Sequence, residues 1–251
     1  MIEVAHRGRV AVLTLAHGKA NALDSELCSD IARRFDELKA SGAQAVVLTG
    51  RDRIFSAGVD LVRAVDGGAS YLREFLPVLS SAFQAVFFCP KPVVAALNGH
   101  AIAGGCVLAA AADRRLMAAG PGRVGVTELL VGVPFPAIAF EIMRFAAAPQ
   151  HFEDIVFSGA TYAPEAARER GLVHDIVAPE LLLDRAVAAA ETLAALSPAA
   201  FALTKMQSRR AVQDTLRQSG ASIDAAVGEI WLSPDTLVRM RDYVARTLKK
   251  S

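Results

Sequence analysis

The stretch from Pro92 to Asp113, PVVAALNGHAIAGGCVLAAAAD, decides how the chain is read. Val93 to Leu97 is an apolar run of strand length. It breaks at Asn98-Gly99, and a second glycine pair, Gly104-Gly105, then opens an alanine-rich apolar helix. A strand that ends in glycines and feeds a buried helix aims free backbone N–H groups, and the positive end of the helix dipole, at one point. That point suits a negatively charged oxygen. The same glycines also suit a helix that merely packs close to a sheet, and this stretch alone does not separate the two readings. About forty residues upstream, Ile54 to Leu61 (IFSAGVDL) repeats the pattern: a short apolar segment runs into Ser-Ala-Gly, a tight turn with exposed N–H groups.

Taken together and in this order, FSAGVDL and NGHAIAGGCVLA resemble the two signature segments of the crotonase superfamily, the enoyl-CoA hydratase/isomerase family. The length of the chain and the order of its segments extend the resemblance over nearly all of it. The resemblance implies an α/β fold: a crotonase-type spiral of strand–strand–helix units over residues 1–196, with the active site, and a C-terminal helical trimerisation region over 197–251. Periodicity alone gives only a mixed α/β domain.

Working outward, Ile2–His6 and Val10–Leu15 read as strands of a hairpin around Arg7-Gly8-Arg9. Asp24 or Ser25 can cap a helix in which Leu27, Ile31, Phe35 and Leu38 recur at helical spacing. Ala45–Thr49 is a buried strand. Asp66–Ser70 reads as a flexible loop, and Tyr71–Phe88 as a long helix ended by Pro90 and Pro92. Short strands are expected at Asp113–Ala118, Arg123–Gly125 and Leu172–Val177, and helices at Ala137–Ala147, His151–Phe157, Pro164–Arg170 and Pro179–Leu196. The final block divides into Pro198–Gln218, Ala221–Trp231 and Pro234–Leu248. It is sparse in apolar positions and rich in arginine, so it packs on something else.

The chain carries 27 basic and 26 acidic residues, a net charge of +1, which gives no general attraction to nucleic acid or to an acidic membrane. Cys28, Cys89 and Cys106 are widely spaced and form no metal-ligand cluster with the five histidines; they read as reduced, buried thiols of a cytoplasmic protein. The first residues, MIEVAHRGRVAVLTL, read as a strand and not as a signal peptide, and no apolar run approaches the roughly 20 residues that span a bilayer. No metal or separate cofactor is expected. By resemblance, coenzyme A enters as part of an acyl-CoA thioester substrate, and the assembly is a homotrimer or a dimer of trimers.

The family's chemistry asks for two N–H donors on the thioester oxygen and a carboxylate at the neighbouring carbon. Donors aimed at that oxygen help most when it carries the enolate charge. The resemblance assigns the donors to the backbone of Ala57 and Gly104, with glycine required at 104 so that no side chain crowds the thioester. It assigns the carboxylate to Glu128, in VGVTELLVGVPF. Taken alone, Glu128 reads more simply as a surface glutamate at a strand end. Between apolar neighbours, its pKa would rise by desolvation. The loop HGKANALD makes Lys19 and Ala20 candidates for coenzyme A contacts. Ser56, Asp60, Leu61, Val107 and Phe135 complete the candidate turn and acyl pocket.

One departure matters. Hydratases of the family carry a second glutamate three residues after the oxyanion glycine, in G-G-C-E-L-A, where it activates water. Here Val107 takes its place, and Val133-Pro134-Phe135-Pro136 stands where hydratases have a glycine-rich turn. A drier pocket with one carboxylate fits proton transfer from C2 to C4, the reaction of Δ3,Δ2-enoyl-CoA isomerases. A hydratase that holds its water with another group, Asp60 or Asp66, and a non-catalytic acyl-CoA binder are the alternatives. His100 reads as a packed residue. Lys205, Arg209 and Arg210 can meet coenzyme A phosphates, but a solvated helix face is the plainer reading.

Overall fold

The computed structural model describes residues 1–247. β1 (Ile2–Arg7) and β2 (Val10–Leu15) form the expected antiparallel hairpin. α1 (Ser25–Ala40) starts at Asp24, whose carboxylate accepts the Leu27 N–H at 2.8 Å. Three strand–strand–helix units follow: β3 (Ala45–Gly50), β4 (Ile54–Ser56) and α2 (Leu61–Phe87); β5 (Val93–Leu97), β6 (His100–Ile102) and α3 (Gly104–Ala110); β7 (Arg114–Ala118), β8 (Val124–Gly125) and α4 (Glu128–Val131). The first strands of the units are parallel neighbours in a six-stranded sheet, closed by β9 (Asp175–Val177), in the order β1-β2-β3-β5-β7-β9. The second strands form a separate parallel sheet, β4-β6-β8. Each unit therefore advances one strand spacing along both sheets, which is the spiral.

Every residue of β3 and β5 is buried, as parallel strands covered on both faces require. Alternate side chains separate the two faces. Val10, Val12, Ala45, Val47, Val94 and Ala96 meet Ala186, Val187 and Ala190 of α8 (Leu182–Ala194). Leu13, Leu15, Val46, Leu48, Ala95 and Leu97 face the larger core built on α1, α2 and α3. Between β8 and α8 the chain is mostly helical, with α5 (Ala137–Ala146), α6 (Phe152–Ser158) and α7 (Pro164–Glu169). After α8 come α9 (Pro198–Ser208), α10 (Arg210–Thr215), α11 (Ala221–Trp231) and α12 (Pro234–Thr247). Leu248, the expected end of the last helix, lies outside the described residues. Among the described residues no single helix is long and apolar enough to cross a membrane.

Several expectations need correction. Asp66–Ser70 is not a loop: α2 already begins at Leu61, and the polar stretch is a break within it at Gly68, whose φ of 58° and ψ of −155° are open to glycine. The strand expected over 172–177 is only Asp175–Val177. The helix expected over 198–218 breaks at Arg209 (φ −99°, ψ 4°), and a wide turn at Leu216–Gly220 leads into α11. Lys205 and Arg209 are not on a solvated face but buried, at 7% and 3% exposure. Asp113 gathers them. Its carboxylate accepts from Lys205 Nζ at 2.6 Å, from Arg209 Nη2 at 2.7 Å and from the Val93 N–H at 2.7 Å. The Arg209 guanidinium also lies 4.1 Å from the Phe87 ring centroid. Burial pushes the Lys205 ammonium down to about 8. Only Arg210 of the three is exposed, pairing with Asp214 at 3.6 Å. This cluster fastens the C-terminal helices to the start of β5.

Candidate active site

The two glycine turns meet backbone to backbone. Gly58 has a φ of 84°, and a Cβ there would lie 2.6 Å from the Ile102 carbonyl and 2.9 Å from Ala103 Cβ. A Cβ on Gly105 would lie 2.3 Å from the Ser56 carbonyl. The tight glycines are thus Gly58 and Gly105. At Gly104 the nearest neighbour of a Cβ is the flexible Leu23 side chain, at 3.0 Å. Between the turns Ala103 is held at φ 50°, ψ −125°, a conformation costly for a residue with a side chain and found where surrounding structure fixes it. Here its carbonyl accepts the N–H groups of Cys106 at 2.8 Å and Val107 at 3.1 Å.

The 17–24 loop braces the upstream turn. Asn21, at φ 46°, donates from its side-chain amide to the carbonyls of Ile54 and Phe55, each at 3.2 Å. The Ser56 hydroxyl donates to the Asn21 carbonyl at 2.7 Å and accepts the Gly58 N–H at 3.2 Å. Ser56 is fully buried and supports the turn without lining the cavity. Leu23 pairs parallel to Val59: its N–H donates to the Gly58 carbonyl at 2.7 Å and its carbonyl accepts the Asp60 N–H at 3.0 Å. Successive N–H groups of an extended segment point to opposite sides. The Val59 N–H therefore points away from Leu23, and it has no partner among the described residues.

This geometry corrects the donor assignment. The Ala57 N–H donates to the Ala20 carbonyl at 3.0 Å, so it is already spent. The unpaired N–H groups at the junction of the turns belong to Val59 and to Gly104, the first residue of α3. The Val59 signal was present in FSAGVDL, but finding it needs the pairing with Leu23, which sequence does not display.

Both residues line a cavity of about 340 Å³. Glu128 lines it too, as the first residue of α4, with only 8% exposure. Its backbone carbonyl accepts from Gly132 and Val133, each at 3.1 Å, and Gly132 closes the short helix at φ 90°. Its Oε2 is buried and has no partner among the described residues. Desolvation pushes the carboxyl up to about 7. The rest of the wall is largely apolar, including Val107, Leu79, Phe83 and Val133.

Of the other expected site residues, Ala20, Leu61 and Asp60 line the cavity, and the Asp60 carboxylate caps α2 by accepting the Arg63 N–H at 3.0 Å. Lys19 is exposed beside Ala20 and does not line the cavity. Phe135 does not belong to it: Val133 and Pro136 face the site, whereas Pro134 and Phe135 face a second cavity with Phe140 and Phe157. Asp66 is exposed outside the cavity, and His100 lies by Arg53 and Asn98 in a different hollow. Among the wall residues not anticipated from sequence are Trp231 of α11 and Tyr243 of α12. Their spacing in an arginine-rich tail gives no sign of which wall they close.

The enoyl-CoA hydratase/isomerase family model matches residues 5–229. A putative enoyl-CoA hydratase of Thermus thermophilus is 36% identical over 210 residues, 82% of each chain. A probable enoyl-CoA hydratase, EchA17, of Mycobacterium tuberculosis is 32% identical over 78% of this chain and 75% of its own. Among solved structures, an apo enoyl-CoA isomerase of Mycobacterium tuberculosis is 30% identical with a TM-score of 0.80, covering 89% of this chain and 97% of that one. Human mitochondrial delta3-delta2-enoyl-CoA isomerase shares the fold with a TM-score of 0.94, over 100% of this chain and 99% of that one, at 22% identity. With its paired glycine turns and the buried carboxylate beside them, the chain belongs to the enoyl-CoA hydratase/isomerase family of the crotonase superfamily, whose members are acyl-CoA enzymes.

Proposed function

We propose that this enzyme is a Δ3,Δ2-enoyl-CoA isomerase. The observation that carries the reading is a single buried carboxylate with one unpartnered oxygen in a largely apolar cavity, with fully buried Val107 where a hydratase would keep its second glutamate. The thioester oxygen accepts from the N–H groups of Val59 and Gly104. Glu128, as carboxylate, takes a proton from C2. The electrons form a dienolate whose oxygen charge the two N–H groups stabilise. Glu128, now a carboxylic acid, returns the proton at C4, and the double bond moves to C2–C3. A group that is acid and base by turns needs a pKa near the working pH, and a carboxyl raised to about 7 has it. The proposed steps call on no metal or cofactor beyond the substrate's own coenzyme A.

The relatives named as hydratases favour a second reading, water addition to 2-enoyl-CoA. Asp60 and Tyr243 are residues on the cavity wall whose polar groups would be called on to hold that water. Purified protein given 3-enoyl-CoA and 2-enoyl-CoA separately decides between them: faster double-bond migration supports the isomerase, faster hydration overturns it. We also propose a trimer or a dimer of trimers. Exposed Leu129, Leu130, Phe157 and Ile223 offer apolar contact, and light scattering showing a monomer at micromolar concentration would contradict it.

A further inference from the structure

Trp231 lines the active-site cavity, and residues next to it in the chain line another. The active-site cavity reaches Leu79 and Phe83 on α2, Pro136, and Trp231 at the end of α11. A separate cavity of about 200 Å³, distinct from the one Phe135 faces, begins on the same elements: Leu76 and Ser80 on α2, Pro136 again, and Gly228 and Leu232 around Trp231. The two hollows lie side by side along α2 and share Pro136, and Gly228 and Leu232, on either side of Trp231 in the chain, line the far one. Gly228 leaves that far side open, since a Cβ there would meet nothing within 4 Å. The indole is 2% exposed, and its Nε1–H donates to the Pro134 carbonyl at 2.9 Å. Pro134 directly follows Val133, whose N–H bonds the backbone of Glu128. The ring is therefore fixed relative to the carboxylate that faces the substrate.

We infer that Trp231 is a specificity-determining residue: it ends the acyl cavity and sets the length of chain the enzyme accepts. The inference rests on the reading that this cavity takes the acyl chain, and it does not depend on which reaction follows. A short chain ends against the indole. A longer one needs the space beyond it, which only a smaller residue at 231 opens. The bulk of the ring does this, and the hydrogen bond keeps the ring in place.

The test measures binding of saturated hexanoyl-CoA and decanoyl-CoA by calorimetry, on native protein and on Trp231→Ala and Trp231→Phe. Native protein should bind hexanoyl-CoA more tightly than decanoyl-CoA. Trp231→Ala should move the ratio toward decanoyl-CoA by roughly tenfold or more, the scale at which a pocket discriminates alkyl length. Trp231→Phe, which keeps a ring, should stay close to the native ratio. Equal native affinity for the two chains overturns the inference, and that result needs no variant to fold. A uniform loss for both chains in Trp231→Ala, tracking a lower Tm, also overturns it and leaves Trp231 a structural residue. Saturated chains need no turnover, so absence of double-bond migration would count against the isomerase and leave this ratio to decide the point.

Discussion

Two largely sequestered carboxylates in this molecule have opposite surroundings. Asp113, 15% exposed in its side chain, meets a lysine, an arginine and a backbone N–H, all within 2.7 Å. Glu128, at 8%, has an oxygen with no partner among the described residues and walls that are mainly hydrocarbon. Removing a charge from water is costly unless hydrogen bonds and an opposite charge replace the solvent. At Asp113 they do, and the residue ties the C-terminal helices to the core. At Glu128 there is no opposite charge and one oxygen goes without a partner among the described residues, and the cost appears as a carboxyl raised to about 7. The difference separates a carboxylate used for holding from one used for moving a proton.

Glu128→Gln should break the comparison most sharply. The amide keeps the shape and loses the proton carrier, so kcat should fall by about 10²- to 10⁴-fold. Stability should move the other way. Because the folded pKa of Glu128 lies above its unfolded value, its contribution to stability is fully present below about 4.5 and is lost as pH rises through about 7. Above that pH the variant is relieved of the cost, by up to about 3 kcal/mol, and its Tm at pH 8 should exceed the native one. Turnover within about twofold of native would remove Glu128 from the mechanism.

Asp113→Asn tests the other carboxylate. It leaves Lys205 and Arg209 buried without their counter-charge, which should cost about 3–5 kcal/mol in denaturant unfolding. Turnover per folded molecule should stay near native, because the cluster does not line the cavity. Unchanged stability would show that the clasp is not what holds α9 to β5.

The contrast also marks what sequence could tell. The two glycine turns were legible because each is written in contiguous residues with a physical requirement attached; the spiral order of the units and the role of Glu128 came only through the resemblance those turns carry, since periodicity gives a mixed α/β domain and Glu128 alone reads as a surface glutamate. Val59 was not, since the direction of its N–H depends on pairing with Leu23 across the loop. Lys205 and Arg209 read as solvated because their partner, Asp113, is some ninety residues away in the chain. Phe135 read as a pocket residue because the Val-Pro-Phe-Pro stretch as a whole resembles pocket sequence; in the structure Pro134 and Phe135 turn together to another cavity while Val133 and Pro136 stay on the site, a division that does not follow simple alternation. Trp231 was invisible for the same reason as the clasp: its contact, Pro134, is distant in sequence.

A smaller effect is expected at Val107, fully buried on the cavity wall. Val107→Glu places a second carboxylate where hydratases of the family keep one, and should raise hydration of 2-enoyl-CoA relative to isomerisation. The gain is limited by the few kcal/mol that an unpaired buried carboxylate costs. A lower hydration rate in the variant would show that the cavity cannot admit the water.

The most direct measurement is the pH dependence of kcat/KM for isomerisation of 3-enoyl-CoA by native protein, which reports ionisations of the free enzyme. Glu128 must begin as the carboxylate. The account predicts a plateau at alkaline pH and a loss of activity on acidification, governed by one group titrating near 7. A profile flat from pH 5 to about 8 would contradict it, because a base with an ordinary carboxylate pKa would then be carrying the proton in place of a desolvated Glu128.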